Sequence, residues 1–282
     1  MKITLPDNSS RELPEGSSGY DLAKDIGPGL AKSAIAVTID GVQKDLYDVI
    51  DSDASVSIIT IDSDEGVEIM RHTLTAQVLA RAIKNLYPES KLAIGPTVKD
   101  GFYYDVESDQ SISSDDLSKI EEEMKKIIKT KSAITKKLVS KKEALKIFKS
   151  NKEPYKEIII NESDQDDDFQ LYYQDDEEFV DLCRGPHLPN LGFIGSFKLT
   201  KVSGAYWKGD SKNSMLTRIY GTAFSNDKDL QNHLENVEEA LKRDHRKLGK
   251  EMDLFHFQDE APGMVFWHPN GWTVYRKLRN FV

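Results

Sequence analysis

Along the first sixty residues, hydrophobic positions recur with a strand period, then a helix period, then a strand period again. Met1, Ile3 and Leu5 alternate with polar residues, and Pro6-Asp7-Asn8-Ser9 is a turn sequence. Ser17 or Ser18 can cap a short helix through Tyr20, Leu22 and Ile26, which Gly27-Pro28 stops. A strand from Ala34 to Ile39, an Asp40-Gly41 hairpin turn, and strands over 46–50 and 56–60 follow. Strand, helix and further strands in so short a span point to a β-grasp module over residues 1–61, with Asp62-Ser63-Asp64-Glu65-Gly66 as a linker.

Residues 67–87 carry the clearest helical stripe, with Ile69, Leu74, Val78, Leu79, Ala82, Ile83 and Leu86 on one side and Pro88 as the stop. The pattern predicts helices over 114–129 and 141–148 and strands over 134–139, 169–173, 179–183, 197–202 and 216–223. Acidic residues load the first turns of the 114–129 helix, as its dipole favours. Irregular interleaving of strands and helices makes this stretch α+β. A long polar helix is expected over 227–252, with Leu230, Leu234, Val237, Leu241 and Leu248 inside. From Phe255 onward seven of 28 residues are aromatic, against 9% for the chain, and a segment that rich calls for a core. The expectation is that the chain ends inside a third domain; the alternative is that the tail packs back on the earlier ones.

Composition narrows the class. The chain has 282 residues, which favours two or three domains. Charged residues at 30% and hydrophobic residues at 38% fit a soluble globular protein. No apolar run is long enough to span a membrane, and MKITLPDNSS has no signal-peptide core. The one cysteine, Cys183, fits a reducing cytoplasm. A net charge of −10 argues against a general nucleic-acid coat but leaves room for a local basic face. Lys125 to Lys152 holds eleven lysines against one glutamate, and Arg243, His245, Arg246, Lys247 and Lys250 form a shorter patch. Either could track a phosphate backbone or be solvated surface. The candidate RNA contacts are Lys136, Lys137, Lys141, Lys142, Arg243, Arg246 and Lys247.

The densest chemistry lies in Asp181-Leu182-Cys183-Arg184-Gly185-Pro186-His187. Gly-Pro forbids a regular helix there, so Cys183 and His187 sit on a turn leaving a strand. Carboxylate, thiol, guanidinium and imidazole so close together suit general acid–base work or metal ligation, or else a structural cysteine beside a hydrogen-bonded histidine. His72 lies near the start of the 67–87 helix, where a histidine can equally cap or pack. Thr73 and Gln77 are four apart and share a face, and both can hold a water. His72 and Gln77 are five apart, roughly 140° around a regular helix, so they share a pocket only if the helix is distorted.

Five segments carry a resemblance: VEIMRHTLTAQVLARAIKNLYPESKLAIGPTVKDGFYYDV (67–106), EPYK (153–156), FVDLCRGPHLPN (179–190), KLTKVSGAYWKGDSKNSMLTRIYGTAF (198–224) and KRDHRKLGKEMDLFHFQDEAPGMVFWHPNGW (242–272). Together the chain resembles the N-terminal half of bacterial threonyl-tRNA synthetases along essentially its whole length. The resemblance implies a TGS domain of β-grasp fold over 1–61 and an editing domain of the threonyl/alanyl type over 62–225. It further implies a linker helix over 226–245 and the opening of a class II catalytic core over 246–282. Motifs 1 to 3 of that core are absent from this sequence.

The full-length activity so implied is ATP-dependent joining of threonine to tRNA(Thr) in a cytoplasmic homodimer that pairs through the rest of the core. ATP, magnesium and zinc belong to that core, with no cofactor bound by this piece. What this piece could retain is hydrolysis of mischarged Ser-tRNA(Thr). A threonine pocket rejects serine by only about 1–3 kcal/mol, so a second site is needed. By resemblance, His187 holds water or substrate, Cys183 is the neighbouring thiol, Asp181 reads the seryl group and Lys156 assists catalysis. The family's helix carries HxxxH; here His72 takes the first place, one extra residue intervenes, and Gln77 takes the second. Alternatively Thr73 and Gln77 take the two places. Loss of the second imidazole predicts weakened editing. Two other readings stand: a metal hydrolase with His72, Cys183 and His187 as ligands, and a non-catalytic tRNA-binding remnant.

Overall fold

The computed structural model describes residues 1–174 and 179–281; residues 175–178 and Val282 lie outside the described residues. The chain forms two compact units, Met1–Asp227 and Lys228–Val282.

The first unit opens with strands β1 (Lys2–Thr4) and β2 (Ser10–Glu12). Helix α1 (Gly19–Ile26) starts in a reciprocal cap, in which Ser18 accepts the Asp21 N–H and Asp21 accepts the Ser18 N–H. Helix α2 (Pro28–Ser33) and strands β3 (Ala34–Ile39), β4 (Val42–Asp45) and β5 (Ala54–Thr60) complete the module. The sheet order is β2-β1-β5-β3-β4, with β1 and β5 parallel and every other pair antiparallel. This is the β-grasp arrangement. The expected strand over 46–50 is displaced. Asp40 and Gly41 both have positive φ, 48° and 83°, and so tight a turn pairs the residues beside it, Ile39 with Val42. Residues 46–50 instead leave the sheet and bury Leu46 and Ile50 under it.

The expected linker at 62–66 is absorbed into a helix. Ser63 caps α3 (Asp64–Thr73) by accepting the Gly66 N–H. Gly66 admits the close approach of β5, since a Cβ there would lie 2.0 Å from the Thr60 carbonyl oxygen. From Leu74 to Leu79 the helix swells into a π-helix, in which Ala80 N–H reaches the Thr75 carbonyl, and it ends as α4 (Ala80–Leu86). One extra residue per turn is the distortion that the offset between His72 and Gln77 called for.

Strands β6 (Lys91–Leu92), β7 (Thr97–Val98) and β8 (Gly101–Glu107), helix α5 (Leu117–Lys129), strand β9 (Ile134–Val139) and helices α6 (Lys141–Ser150) and α7 (Pro154–Glu162) follow. After them come β10 (Phe169–Gln174), β11 (Val180–Leu182), β12 (Ser196–Tyr206) and β13 (Met215–Phe224). They build one sheet ordered β12-β13-β8-β6, with β7 on β8, and a second ordered β11-β10-β9. The swollen helix is buried between them. Met70, Leu74, Val78 and Ile83 join Phe102, Tyr104, Ile120, Met124 and Ile219 in one core, and Ile35, Ala36 and Ile59 of the β-grasp module belong to it too.

In the second unit the expected single helix is two. Helix α8 (Asp227–Lys242) begins at the boundary, and α9 (His245–Glu251) restarts where the Asp244 side chain accepts the Arg246 N–H. Val237 and Leu241, expected inside, are 46% and 66% exposed. Strands β14 (Phe255–His256) and β15 (Phe266–Trp267) pair, and α10 (Pro269–Phe281) closes the description. Trp272 and Tyr275 stack at 5.4 Å on its surface, each at least 40% exposed.

Candidate functional site

The Cys183–His187 turn faces the helix. Gly185 has φ +64°, and a Cβ there would sit 2.0 Å from the Tyr172 hydroxyl, so only glycine lets the turn settle on that hydroxyl. The turn sets His187 against Thr73. The Thr73 hydroxyl donates to the Ile69 carbonyl at 2.9 Å and accepts the Leu188 N–H at 3.0 Å. Its remaining lone pair faces His187 Nδ1 at 3.1 Å. With the hydroxyl proton already committed, Nδ1 must carry the imidazole hydrogen and Nε2 a lone pair. Nε2 is buried and meets no hydrogen-bonding partner among the described residues.

His72 stacks on His187 with ring centres 4.6 Å apart, and its Nε2 lies 2.8 Å from Cys183 Sγ. The same ring bonds to the Pro186 carbonyl. Nε2 being engaged by sulfur, the other nitrogen is the donor to Pro186, and Nε2 accepts the thiol hydrogen. Burial pushes the His72 imidazole below the usual histidine range, against the pull of the Pro186 carbonyl and the Asp181 charge. It is therefore neutral near pH 7. One ring nitrogen from each histidine and the Cys183 sulfur all lie within 4.8 Å of one another.

Lys156 and Asp181 make the second half of the site. Lys156 Nζ is 2.5 Å from Asp181 Oδ1, and both side chains are under 5% exposed. Oδ1 also accepts the Leu182 N–H, and the buried Tyr104 hydroxyl faces Oδ2 at 3.5 Å. Burial raises the Asp181 carboxyl above the ordinary range, opposed by the Lys156 ammonium. EPYK explains how a lysine comes to be buried there. Glu153 accepts the Leu92 N–H at 2.6 Å and pairs with Lys84 at 2.8 Å, Pro154 starts α7, and Tyr155 packs on Trp207 and bonds to Glu107. The next residue, Lys156, is thereby aimed at β11.

His72, Ala76, Lys156, Asp181, Cys183 and Arg184 line one cavity of about 730 Å³. Two expectations need correction. His187 lies behind the wall, 2% exposed, and not on it. Gln77 is not brought to the cavity at all. It is fully buried, its carbonyl accepts from Gln174 Nε2 at 2.8 Å, and Ala76 stands on the wall in its place. Within the π-helix the Gln77 side chain faces Gln174 of β10 instead, whose amide nitrogen lies 3.5 Å from Gln77 Oε1.

Residues 1–60 match the TGS domain, and residues 170–220 match the threonyl and alanyl tRNA synthetase second additional domain. A Threonine--tRNA ligase of Prochlorococcus marinus (strain MIT 9211) is 50% identical over 283 aligned residues, which cover 99% of this chain. By these matches the chain resembles the N-terminal portion of a threonyl-tRNA synthetase. It spans 43% of the length of that curated relative.

The candidate basic residues are mostly engaged. Lys136 pairs with Asp45 at 2.9 Å and Asp48 at 2.5 Å, so it joins the editing domain to the TGS domain. Lys137 lies 4.5 Å over the Tyr173 ring, and Lys141 donates to the Ser163 carbonyl. Lys142 is exposed. In the second unit Arg243 pairs with Glu239, Arg246 with Asp244 and Lys247 with Glu251. Among the described residues no helix is long and apolar enough to cross a membrane. Sequence reasoning missed Tyr104, Glu153 and Asp45. Only Glu153 gave a signal, as an acid placed just ahead of the Pro154 that starts a helix.

Proposed function

We propose that the cavity hydrolyses the aminoacyl ester of mischarged Ser-tRNA(Thr), as the editing part of a threonine--tRNA ligase. The observation carrying this reading is that a neutral imidazole, a thiol and a lysine–carboxylate pair open into one cavity. A water entering there displaces the weak S–H donor from His72 Nε2 and gives its proton to that nitrogen while its oxygen bonds to the ester carbon. Lys156 keeps donors beyond the one that Asp181 takes, and these stabilise the oxyanion. Collapse breaks the bond to the ribose oxygen, which recovers the proton from His72. Asp181 Oδ2, held only loosely by Tyr104, accepts from the seryl hydroxyl. His187, stacked behind, keeps the His72 ring in place. Gln77 takes no part in the proton transfers.

In this reading tRNA(Thr) is the partner, and the whole protein uses threonine, ATP, magnesium and zinc as a homodimer. The test is deacylation of Ser-tRNA(Thr) beside Thr-tRNA(Thr). The seryl ester is expected to be cleaved faster, by about 10–200-fold for one methyl group. His72→Ala and Lys156→Met are expected to cost about 10²–10⁴-fold in rate. Cleavage of neither ester above the spontaneous rate would refute the proposal.

A second reading has one observation in its favour. His72, Cys183 and His187 offer two imidazole nitrogens and a sulfur within 4.8 Å, and His187 Nε2 is otherwise an orphan. That donor set fits a zinc ion, which would supply an activated water in a fourth position. Metal analysis of the purified chain decides it: about one equivalent of zinc, lost in a Cys183→Ala variant, supports this reading, and a metal-free chain with full deacylase activity rejects it.

A further inference from the structure

The TGS domain sends one side chain into the editing site. Asp45 ends β4, and its carboxylate is 16% exposed. Oδ1 accepts the His187 main-chain N–H at 2.8 Å, across 142 residues of sequence. Oδ2 accepts the Tyr172 hydroxyl at 2.8 Å and pairs with Lys136 at 2.9 Å. The Tyr172 ring stands edge-on to the His187 ring at 4.3 Å, and its hydroxyl is the surface on which Gly185 rests. One carboxylate therefore grips the turn at its backbone and, through Tyr172, at the imidazole face. The main chain behind the carboxylate is fixed by a local turn, in which Asp48 accepts the Asp45 N–H at 3.2 Å and donates its own N–H to the Asp45 carbonyl at 3.0 Å. Lys136, Tyr172 and Asp181 stand opposite one another across β9, β10 and β11, so this clamp and the Lys156–Asp181 pair share one row of the sheet.

We infer that Asp45 is a positioning residue for hydrolysis: from the TGS domain it fixes the turn that carries Cys183 and His187. The inference rests on the editing function proposed above. Asp45 touches neither substrate nor reacting atoms; it sets where His187 stands, and through the stacked rings where His72 stands. A backbone N–H left without its acceptor is free to drift, and a displacement of about 1 Å at a reacting group can cost about 10²-fold.

The test uses the whole chain and three variants, Asp45→Ala, Asp45→Asn and Asp48→Asn, read by seryl-tRNA deacylation kinetics and by the ¹⁵N–¹H imidazole spectrum. Asp45→Ala is expected to lower kcat by about tenfold or more with KM kept within about twofold. Asp45→Asn keeps an acceptor for the His187 N–H and is expected to stay within about threefold of the parent. Asp48→Asn keeps an amide oxygen for the Asp45 N–H and removes only the charge that Lys136 pairs with, and it leaves kcat within about twofold. The His187 ring signals move in Asp45→Ala and stay still in Asp48→Asn. Unchanged kcat in Asp45→Ala, a loss confined to KM, or equal losses in all three variants overturns the inference. Should the parent chain cleave no ester, the editing reading falls by itself and the spectrum decides: His187 signals that move in Asp45→Ala support the positioning role, and signals that do not overturn it.

Discussion

A carboxylate removed from water carries a pH signature whose sign depends on which way its pKa moves. Glu153 is 4% exposed, and burial raises its carboxyl above the ordinary 4.5, outweighing the Lys84 ammonium and the Leu92 N–H. Between 4.5 and the raised folded value the folded chain holds a proton that the unfolded chain has lost. This contribution to stability is therefore complete below 4.5 and disappears as pH rises through the folded value. In urea unfolding from pH 4 to 7, the parent chain is expected to lose stability relative to Glu153→Gln as pH rises, by at most about 1.4 kcal/mol per pH unit inside the window. A difference that grows in the opposite direction would contradict this. Asp181 has the same sign, so only the comparison with Glu153→Gln isolates Glu153. At this scale the sequence exposes some residues and hides others. Cys183 and His187 are legible because a Gly-Pro turn displays them within a few positions. Tyr104 and Asp45 are not, because their partners lie 77 and 142 residues away and nothing local marks them.

Among the elements, those with a clear period and a local cap were readable. The Ala34–Ile39 strand and the helix starting at Lys141 fall where the hydrophobic pattern put them, and the structure shows Ser140 capping the latter. Helix α7 was hidden by Ile158-Ile159-Ile160, a β-branched run whose helical state is set by Glu153, Pro154 and burial of Ile160 in a small side core. The break after Lys242 was hidden because a strong polar helix pattern continues across it, and only the Asp244 cap marks the restart. The π-helix announced itself as a one-residue offset, with no indication of which side chains it would rotate. That swelling makes a sharp prediction. Deleting Gln77 removes one residue from Leu74–Leu79 and lets the segment return to α-helix with its flanks still facing their partners, and it also removes a buried amide nitrogen without an acceptor. Deleting Ala82 from α4 instead turns everything after it by about 100°. Thermal melts are expected to show a cooperative transition for the first deletion and none for the second; loss of the transition in both would show that the extra residue is required for folding.

For the first unit taken whole, the TGS and editing domains are less separable than their sequence boundary implies. Ile35, Ala36 and Ile59 of the β-grasp sheet lie in the same core as Ile69 and Met70 of α3, and Asp45 and Asp48 meet Lys136 across the polar edge of that contact. Composition and periodicity divided the chain near residue 61 because turns and a charge-rich stretch stand there, and neither signal records what packs across a boundary. The shared packing bears on anyone who would trim the chain. A fragment begun at Ser63 to obtain a minimal hydrolase would strip apolar cover from Ile69, strand the Lys136 ammonium and leave the His187 amide open to solvent. Its inactivity would be read as evidence against the chemistry when it reported only the cut. The smallest honest specimen for studying this pocket includes the domain in front of it.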